Sequence, residues 1–324
     1  MVISLLALLV GFILLVWSAD RFVDGASATA AHFGVPSLII GILIVGFGTS
    51  APEMLVSTMA ALDGNPDLAL GNAIGSNITN TGLIIGLTAI ITPLTVHSGI
   101  VKKELPLLLG ICFLLGAFLA DDSILRWEAG ILMLGFFGLL AWSVYSGLKE
   151  RDDSLGQEVS EELEARSMPL RKALIWLIVG MLIMIGSSRL LVYGAVNIAT
   201  FLGISDLIIG LTIVALGTSL PELAASVMAA RKGEHDIALG NVVGSNMFNL
   251  LAVIGIAGLI SPMPVIEPAV LYRDWLSMVA LIVMLLFTAL GFGKQGRINR
   301  IEGAMLLIVF AAYNTYLLQT ILKT

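Results

Sequence analysis

The stretch GFGTSAPEMLVS, from Gly46 to Ser57, belongs to an apolar segment but contains residues that interrupt a helix. Two glycines, a threonine-serine pair, a proline and Glu53 fall within its first eight residues. Proline removes a backbone donor and clashes with the preceding helical turn, and glycine lowers the cost of unwinding. The stretch therefore predicts a membrane helix that is broken beside a carboxylate.

The rest of the chain is nearly as apolar as this stretch. Of its 324 residues, 58% are hydrophobic and 12% are charged, and the mean hydropathy is +1.00. The charged share is about half that of soluble proteins. This composition predicts an all-α polytopic membrane protein, whose partner is the lipid bilayer. We do not expect it to bind nucleic acid. The single cysteine excludes a disulfide within the chain and a metal cluster built from cysteines.

Apolar windows of about twenty residues predict ten transmembrane helices. Most lysines and arginines outside these segments lie in one set of alternating loops, which includes the polar linker 149–171. The positive-inside rule then places the linker in the cytoplasm and both termini outside a cytoplasmic (inner) membrane. Asp20 and Arg21, in the first segment, are interpreted as a pair at the membrane interface. The predicted segments are 2–30, 37–62, 67–92, 103–120, 125–148, 172–200, 206–230, 236–260, 273–292 and 299–320.

The chain repeats itself with a constant shift of 169 residues. Leu38–Gly41 matches Leu207–Gly210 at every position, and GNAIGSNITN from Gly71 matches GNVVGSNMFN from Gly240 at six of ten. The broken stretch recurs as ALGTSLPELAAS, from Ala215 to Ser226. One shift without gaps thus aligns polar residues as well as apolar ones. The residues of the break that recur are Gly48, Thr49, Ser50, Pro52 and Glu53, matched by Gly217, Thr218, Ser219, Pro221 and Glu222.

Each half contains five predicted helices, so the second half must enter the membrane from the opposite side. This arrangement is an inverted-topology repeat, and such folds bind substrate near the midplane through their discontinuous helices. We therefore predict a first five-helix repeat over 1–148, the linker over 149–171 and an inverted second repeat over 172–324. Helices 2 and 7 are predicted to be broken at an ion site.

The residues at the breaks offer only oxygen ligands. Carboxylates, hydroxyls and freed carbonyls suit hard cations, whereas zinc and copper favour nitrogen or sulfur. Calcium takes about six to eight such oxygens in flexible geometry, and sodium can use the same ligands. The two glutamates would each cost roughly 3 kcal/mol in the bilayer centre, which a bound cation would offset. The breaks therefore predict a pathway for calcium or sodium.

The GNxxGSNxxN blocks are predicted to complete this cation site. Asn72, Ser76 and Asn80 follow each other at intervals of four residues and so share one helical face, as their repeat partners do. The glycines form small-x-x-x-small pairs, which permit close approach of helices. We therefore expect the third and eighth helices to press against the broken ones at Gly71, Gly75, Gly240 and Gly244.

The paired GTSxPE and GNxxGSNxxN blocks resemble the alpha repeats of the calcium/cation antiporter superfamily, and in particular the prokaryotic sodium/calcium exchangers. The resemblance covers essentially the whole chain and implies alternating access, with the long first and sixth helices sliding against the rest. It implies calcium and sodium as transported substrates and no cofactor. The calcium ligands that it implies are Glu53, Glu222, Thr49, Thr218, Asn80 and Asn249. The sodium ligands that it implies are Gly46, Ser50, Ser76, Ala215, Ser219 and Ser245, together with Glu53 and Glu222.

The chain departs from this pattern at Asn249, where the prokaryotic exchangers carry an aspartate. Two carboxylates remain, and one calcium or two sodium ions neutralise their charge. The departure leaves open which ion drives transport, so sodium/calcium exchange stands beside proton/calcium and potassium-dependent antiport.

Other classes of function fit the sequence less well. A cation channel would need a re-entrant filter, and an intramembrane protease would need a set of catalytic residues that the sequence does not offer. We therefore predict a transporter and not an enzyme. Because ten helices with one central site can work alone, we expect a monomer.

Overall fold

The computed structural model describes residues 2–33, 35, 37–97, 100–151, 168–202, 215–290 and 296–321. Most of the predicted linker, the repeated block Leu207–Gly210 and positions 206–214 of the seventh predicted segment lie outside the described residues. The chain forms two compact units. The first unit contains Met1–Pro52 and Leu140–Asn241, and the second contains Glu53–Leu139 and Val242–Thr324. Each unit draws on both predicted repeats, and the division at 148 and 171 stays a prediction.

The first half of the chain consists of helices, several of which contain a π-helical turn. Their bounds are α1 Val2–Phe33, α2 Ser37–Ile40, a π-turn Gly41–Gly46, α3 Phe47–Thr49, α4 Ala51–Leu62, α5 Pro66–Ile78, a π-turn Thr79–Ile85 and α6 Gly86–Ile91. They continue with strand β1 Leu94–Val96, a π-turn Ile100–Glu104, α7 Leu105–Leu119 and α8 Arg126–Arg151. The π-turns interrupt α-helical hydrogen bonding without ending the helix.

The second half repeats this order of helices, but its strand comes later in the half. Its elements are α9 Leu170–Phe201, α10 Ala215–Thr218, α11 Leu220–Arg231, α12 His235–Phe248, a π-turn Asn249–Val253 and α13 Ile254–Ile260. They end with a π-turn Val270–Trp275, α14 Leu276–Ala289, strand β2 Gly296–Ile298 and α15 Arg300–Ile321. Helices α1 and α9 are both 32 residues long, so the repeat seen in sequence is also a repeat of elements.

The predicted helical segments are confirmed wherever the structure describes them. Within the described residues, six helical stretches are long and apolar enough to cross a membrane. The bent pair Leu38–Thr49 and Ala51–Leu62 would make a seventh. By length and hydropathy the described residues therefore support a polytopic protein, while the count of ten spans stays a prediction. The six stretches are Val2–Phe33, Pro66–Ile91, Leu170–Ile198, His235–Ile260, Val270–Ala289 and Arg300–Thr320.

The first unit is built on close packing of α1 against α9. Ala19, Phe22, Val23 and Ala26 are fully buried at the spacing of one helical face. On α1, a Cβ added at Gly25 would lie 2.5 Å from the backbone nitrogen of Leu177. The other face of α1 exposes large apolar side chains, as expected of a helix in contact with lipid.

The second unit also depends on backbone-to-backbone contact. Helices α6 and α15 meet at Gly86 and Gly303, where a Cβ on either glycine would lie within 3.0 Å of the carbonyl oxygen of the other. Strands β1 and β2 pair antiparallel, with Leu94 opposite Ile298. These contacts join the third predicted helix to the last one.

Among the described residues, the close approach predicted for the glycines of the GNxxGSNxxN blocks is seen at Gly240. A Cβ on Gly240 would lie 2.8 Å from the carbonyl oxygen of Leu38, so α12 does approach the second helix closely. Its repeat partner Gly71, and Gly75, would meet no atom of another described element within 4 Å. The expectation of close approach at Gly71 and Gly75 stays a prediction, because Leu207–Gly210, the repeat partners of the residues that Gly240 meets, lie outside the described residues.

Candidate functional site

Both predicted breaks are present, and each is a single serine. The second helix bends by 44° between Leu38–Thr49 and Ala51–Leu62. Ser50 there has φ −81° and ψ 0°, and Ser219 between α10 and α11 has φ −89° and ψ 3°. Both lie in the bridge region between helical and extended backbone. The helical hydrogen bonds of the backbone continue up to the break, because Ser50 N–H donates to the Gly46 carbonyl at 3.0 Å. The break is therefore shorter than the unwound turn that the sequence predicts.

Proline at the break frees a carbonyl, and one such carbonyl is occupied. Pro221 has no N–H for the Gly217 carbonyl four residues earlier. The Ser188 hydroxyl of α9 donates to that carbonyl at 2.6 Å. At the other break, the carbonyl that Pro52 leaves without its helical donor is that of Gly48. A side-chain hydroxyl of α9 therefore satisfies the carbonyl that Pro221 exposes.

An asparagine amide holds each glutamate-bearing helix. In the second unit, Asn72 Nδ2 donates to Ser57 Oγ at 3.0 Å and to the Glu53 carbonyl at 3.4 Å. In the first unit, Asn241 makes the matching pair, to Ser226 Oγ at 2.8 Å and to the Glu222 carbonyl at 3.1 Å. All six residues obey the shift of 169. The repeat therefore preserves the hydrogen bonds that position the two carboxylates.

Asn241 also organises the threonine at the other break. The Thr49 hydroxyl lies 3.0 Å from Asn241 Oδ1 and donates to it. Thr49, Asn241 and the Glu222 side chain are all buried, with no more than 1% of their surface exposed. The first unit thus links the short helix α3 to the start of α11 through one amide. A side-chain hydrogen bond thus connects one copy of the repeated motif to the other.

A second network of amides lies within the second unit. Asn77 Nδ2 donates to the Asn246 carbonyl, Asn80 Nδ2 to Asn246 Oδ1 and Asn249 Nδ2 to Asn77 Oδ1, each at 3.1 Å. The last two bonds are equivalent under the shift of 169 residues, because Asn77 corresponds to Asn246 and Asn80 to Asn249. Asn246 Nδ2 in turn donates to Thr81 Oγ1 at 3.0 Å. The nitrogen ends of Asn80 and Asn249 are therefore held, which fixes the direction of their oxygen ends.

Four buried side-chain oxygens at predicted positions have no hydrogen-bond partner among the described residues. They form two repeat-related pairs, Oδ1 of Asn80 and Asn249 in the second unit and Oγ of Ser50 and Ser219 in the first. Leaving such a group unsatisfied costs about 1–3 kcal/mol. A cation coordinated by these oxygens would offset that cost, whereas an apolar ligand would not. These four amide and hydroxyl oxygens are of the kind that hard cations take as ligands.

The structure divides the predicted ligands between the two units, and their role in ion binding stays a prediction. Glu53 and Glu222 are each 1% exposed. Among the residues that the structure covers, no group of three or more His, Cys, Asp or Glu is gathered. The first unit holds Gly46, Thr49, Ser50, Ala215, Thr218, Ser219 and Glu222, and the second holds Glu53, Ser76, Asn80, Ser245 and Asn249.

Sequence reasoning missed the two asparagines at the centre of the amide network. Asn77 and Asn246 are fully buried, yet they lie off the face that Asn72, Ser76 and Asn80 define at α-helical spacing. A π-turn begins at Thr79 and another at Asn249. Asn77 and Asn246 come before these turns, so their burial depends on the residues opposite them in space, which the sequence does not show. The sequence signal that could have revealed both asparagines is the tripeptide Gly-Ser-Asn, which is identical in the two halves.

Replacing Asn241 by alanine is expected to destabilise the protein more than replacing its repeat partner Asn72. Asn241 is fully buried and accepts from Thr49 besides making its two donor bonds, whereas Asn72 is partly exposed. At about 1–3 kcal/mol for each buried partner left unsatisfied, N241A loses several kcal/mol and N72A about half as much. Thermal unfolding in detergent measures both. Equal losses would show that the bond to Thr49 contributes nothing.

Comparison with known proteins bears on this arrangement. The family described as "Sodium/calcium exchanger protein" matches residues 3–145 and 172–319. CaxA of Alkalimonas amylolytica is 49% identical over 319 residues, which are 98% of this chain and 99% of that protein. The sodium/calcium exchanger MaX1 of Methanosarcina acetivorans is 30% identical over 347 residues, covering 96% of this chain and 97% of its own. The family match leaves out only the central linker region and a few terminal residues.

Solved structures agree with these sequence matches. The sodium-calcium exchanger NCX_Mj, soaked with zero Na+ and Ca2+, superposes with a TM-score of 0.82 at 32% identity. The alignment covers 97% of this chain and 99% of that one. The same exchanger soaked with 2.5 mM Na+ and 0.1 mM Ca2+ gives a TM-score of 0.81 at 31% identity. The likeness therefore extends over both repeats, and it confirms the predicted all-helical polytopic fold.

Proposed function

Because this chain belongs to the sodium/calcium exchanger protein family, we propose that it exchanges sodium for calcium across the cytoplasmic membrane by alternating access. Family membership already makes it a multi-pass cation antiporter and not an enzyme. What the proposal adds is the coupling ion, the ligands and the membrane. The observation that supports it most is the set of buried oxygens without hydrogen-bond donors at repeat-related positions.

Glu53 and Glu222 are the proposed charged ligands of calcium. Each stands at the first turn of the helix that comes after a break, and an asparagine amide of the same unit holds its backbone carbonyl. Calcium requires about six to eight oxygens, more than two carboxylates supply. The neutral ligands that complete its shell are Thr49, Thr218, Asn80 and Asn249.

Sodium would use the oxygens nearest the breaks. We assign to it the carbonyls of Gly46 and Ala215, together with the side-chain oxygens of four serines and the two glutamates. Two of these serines, Ser50 and Ser219, carry buried hydroxyls without partners among the described residues, which favours them as ligands. The other two are Ser76 and Ser245.

The charge of the ligands limits the stoichiometry. Two buried glutamates carry two negative charges, and Asn80 and Asn249 are neutral. One calcium or two sodium ions therefore compensate the ligands, and a third sodium would add an uncompensated charge at low dielectric. We thus expect the exchange to be electroneutral, so its rate responds little to membrane voltage.

The membrane orientation is inferred from the lysine and arginine distribution. We propose that the linker 149–171 is cytoplasmic, that both termini are outside and that the protein works as a monomer. Cysteines introduced near each terminus and in the linker, labelled with a membrane-impermeant reagent in intact cells, report the sides. Labelling of the linker but not of the termini would reverse the orientation.

Calcium-45 uptake into proteoliposomes tests the coupling ion. Vesicles of purified protein are loaded with sodium, with potassium or with a pH gradient alone, and ionophores clamp the voltage. Uptake that requires internal sodium, and that is unchanged by the clamped voltage, is the expected result. Uptake driven by the pH gradient without sodium would assign proton/calcium antiport and remove the basis of the sodium ligands. Uptake that needs potassium as well would assign a potassium-dependent exchanger.

A further inference from the structure

A groove of about 620 Å³ opens on the surface of the first unit, between α1 and the end of α11. Its wall on α1 consists of large apolar side chains that are 39–60% exposed. Met228 of α11 contributes to the opposite side. A groove of this size lies within the range of ligand pockets. The side chains of the α1 wall are Phe12, Ile13, Val16 and Trp17.

One end of the groove is charged. Asp20, Arg231 and Lys232 line it there. Lys232 Nζ lies 2.8 Å from Asp20 Oδ1 and 2.6 Å from Asp24 Oδ1. No carboxylate within the described part of the chain pairs with Arg231. The groove lining therefore carries two cations against one carboxylate, and its arginine is free to bind an anion.

Aromatic and basic side chains mark this end as a membrane interface. Trp17 meets Trp176 of α9 edge to face, with ring centroids 5.8 Å apart, and the Arg21 guanidinium lies over the Trp176 ring at 5.7 Å. Tryptophans and basic residues concentrate at the level of the lipid headgroups. Phe12 lies eight residues before Asp20, about 12 Å deeper along the helix at about 1.5 Å per residue. The apolar wall thus extends from the headgroup level toward the hydrocarbon.

This order of chemistry matches one end of a phospholipid. Acyl chains fit the apolar wall, and a phosphodiester fits the guanidinium, which binds phosphate oxygens through two parallel hydrogen bonds. The excess positive charge of the lining favours a lipid whose headgroup adds no cation of its own. We propose that the groove binds an anionic phospholipid of the phosphatidylglycerol type, with Arg231 as the phosphate ligand and Lys232 as its neighbouring cation.

Native mass spectrometry of the purified full-length protein tests this proposal. The protein in detergent is titrated with equimolar phosphatidylglycerol, phosphatidylcholine and phosphatidylethanolamine of identical acyl chains. We expect the wild type to retain phosphatidylglycerol in preference to the other two. R231Q should retain about fivefold less of it, the effect of losing one basic residue at a lipid surface.

Two further variants locate the effect. R297Q removes an exposed arginine of β2, on the same predicted side of the membrane, and should bind lipid as the wild type does. V16W leaves every charge in place but fills the groove, and should lose phosphatidylglycerol as R231Q does. Equal retention of the three lipids by the wild type would overturn the proposal without any variant. A preference for phosphatidylethanolamine, or equal losses in R231Q and R297Q, would overturn it as well.

Discussion

Glu53→Gln and Glu222→Gln are each expected to abolish calcium transport and to leave the protein folded. Glutamine keeps the size of the side chain but removes the negative charge, which neutral oxygens cannot replace for a divalent ion. The loss of one charged ligand should lower calcium affinity by at least about 100-fold, which corresponds to about 2.7 kcal/mol. The two variants should behave alike, because the same hydrogen bonds position both helices.

The fold should tolerate these changes because a buried charge is a cost. Both glutamates are 1% exposed, and each would cost roughly 3 kcal/mol at the bilayer centre. In buffer without calcium and sodium, each variant should therefore melt at or above the temperature of the wild type. Added calcium should raise the melting temperature of the wild type, since a ligand that binds only the folded state stabilises it. The variants should show no such rise.

Glu128→Gln is the matched control for a buried glutamate. Glu128 is 3% exposed, and its carboxylate accepts a hydrogen bond from the Leu125 N–H at 2.7 Å at the start of α8. Its role is to cap a helix, so E128Q should lose some stability and keep calcium transport. Substantial calcium uptake by E53Q or E222Q, measured with calcium-45 in proteoliposomes, would disprove the assignment of that glutamate. Loss of uptake in all three variants would mean that charge removal acts on folding.

Gly25→Ala is expected to have the largest effect on stability of any single methyl group added to α1. The new Cβ would lie 2.5 Å from the Leu177 nitrogen and 2.7 Å from the Ala173 carbonyl oxygen of α9. Both are backbone atoms of a long helix and cannot turn aside as a side chain can. Overpacking of this kind costs about 1–3 kcal/mol and sometimes more. We expect the melting temperature to fall by about 5 °C or more.

Alanine substitutions at two glycines of α9 should change stability by graded amounts. A Cβ on Gly180 would lie 3.0 Å from Phe22, a milder clash, so G180A should lose less stability than G25A. A Cβ on Gly186, also in α9, would meet no atom of another described element within 4 Å. G186A should therefore be neutral or slightly stabilising, because alanine favours a helix over glycine. Melting temperatures in detergent that rise from G25A to G180A to G186A would support close packing of α1 against α9. Equal melting temperatures of G25A and the wild type would contradict it.

Much of the fold is set by local chemistry that the sequence shows directly. The helical segments arise from runs of apolar residues, and the breaks at Ser50 and Ser219 arise from the glycines and prolines around them. The repeat is visible in polar residues that match at one shift, and the hydrogen bonds of Asn72 and Asn241 reproduce it in space. These features depend on residues close together in the chain, which is why the sequence predicts them.

Other features depend on which groups lie opposite a residue. Gly240 meets the backbone at Leu38 and Gly41, and its motif does not specify which residues lie opposite it. The Gly217 carbonyl, which Pro221 leaves without its helical donor, accepts from Ser188. The repeat partner of Ser188 is Ala19, so the two breaks differ in a way that no local pattern indicates.

The sequence by itself determined the class of protein, its repeated helices and the kinds of oxygen offered to a cation. Only the tertiary structure decided which of those oxygens are available. Asn77 and Asn246 accept hydrogen bonds from the amide nitrogens of Asn249 and Asn80. Each amide has one nitrogen and one oxygen. The nitrogens of Asn80 and Asn249 donate to asparagines of the other repeat, and the oxygens meet no donor among the described residues. A residue's type determines what it can bind, and its neighbours in space determine which of its atoms remain free to do so.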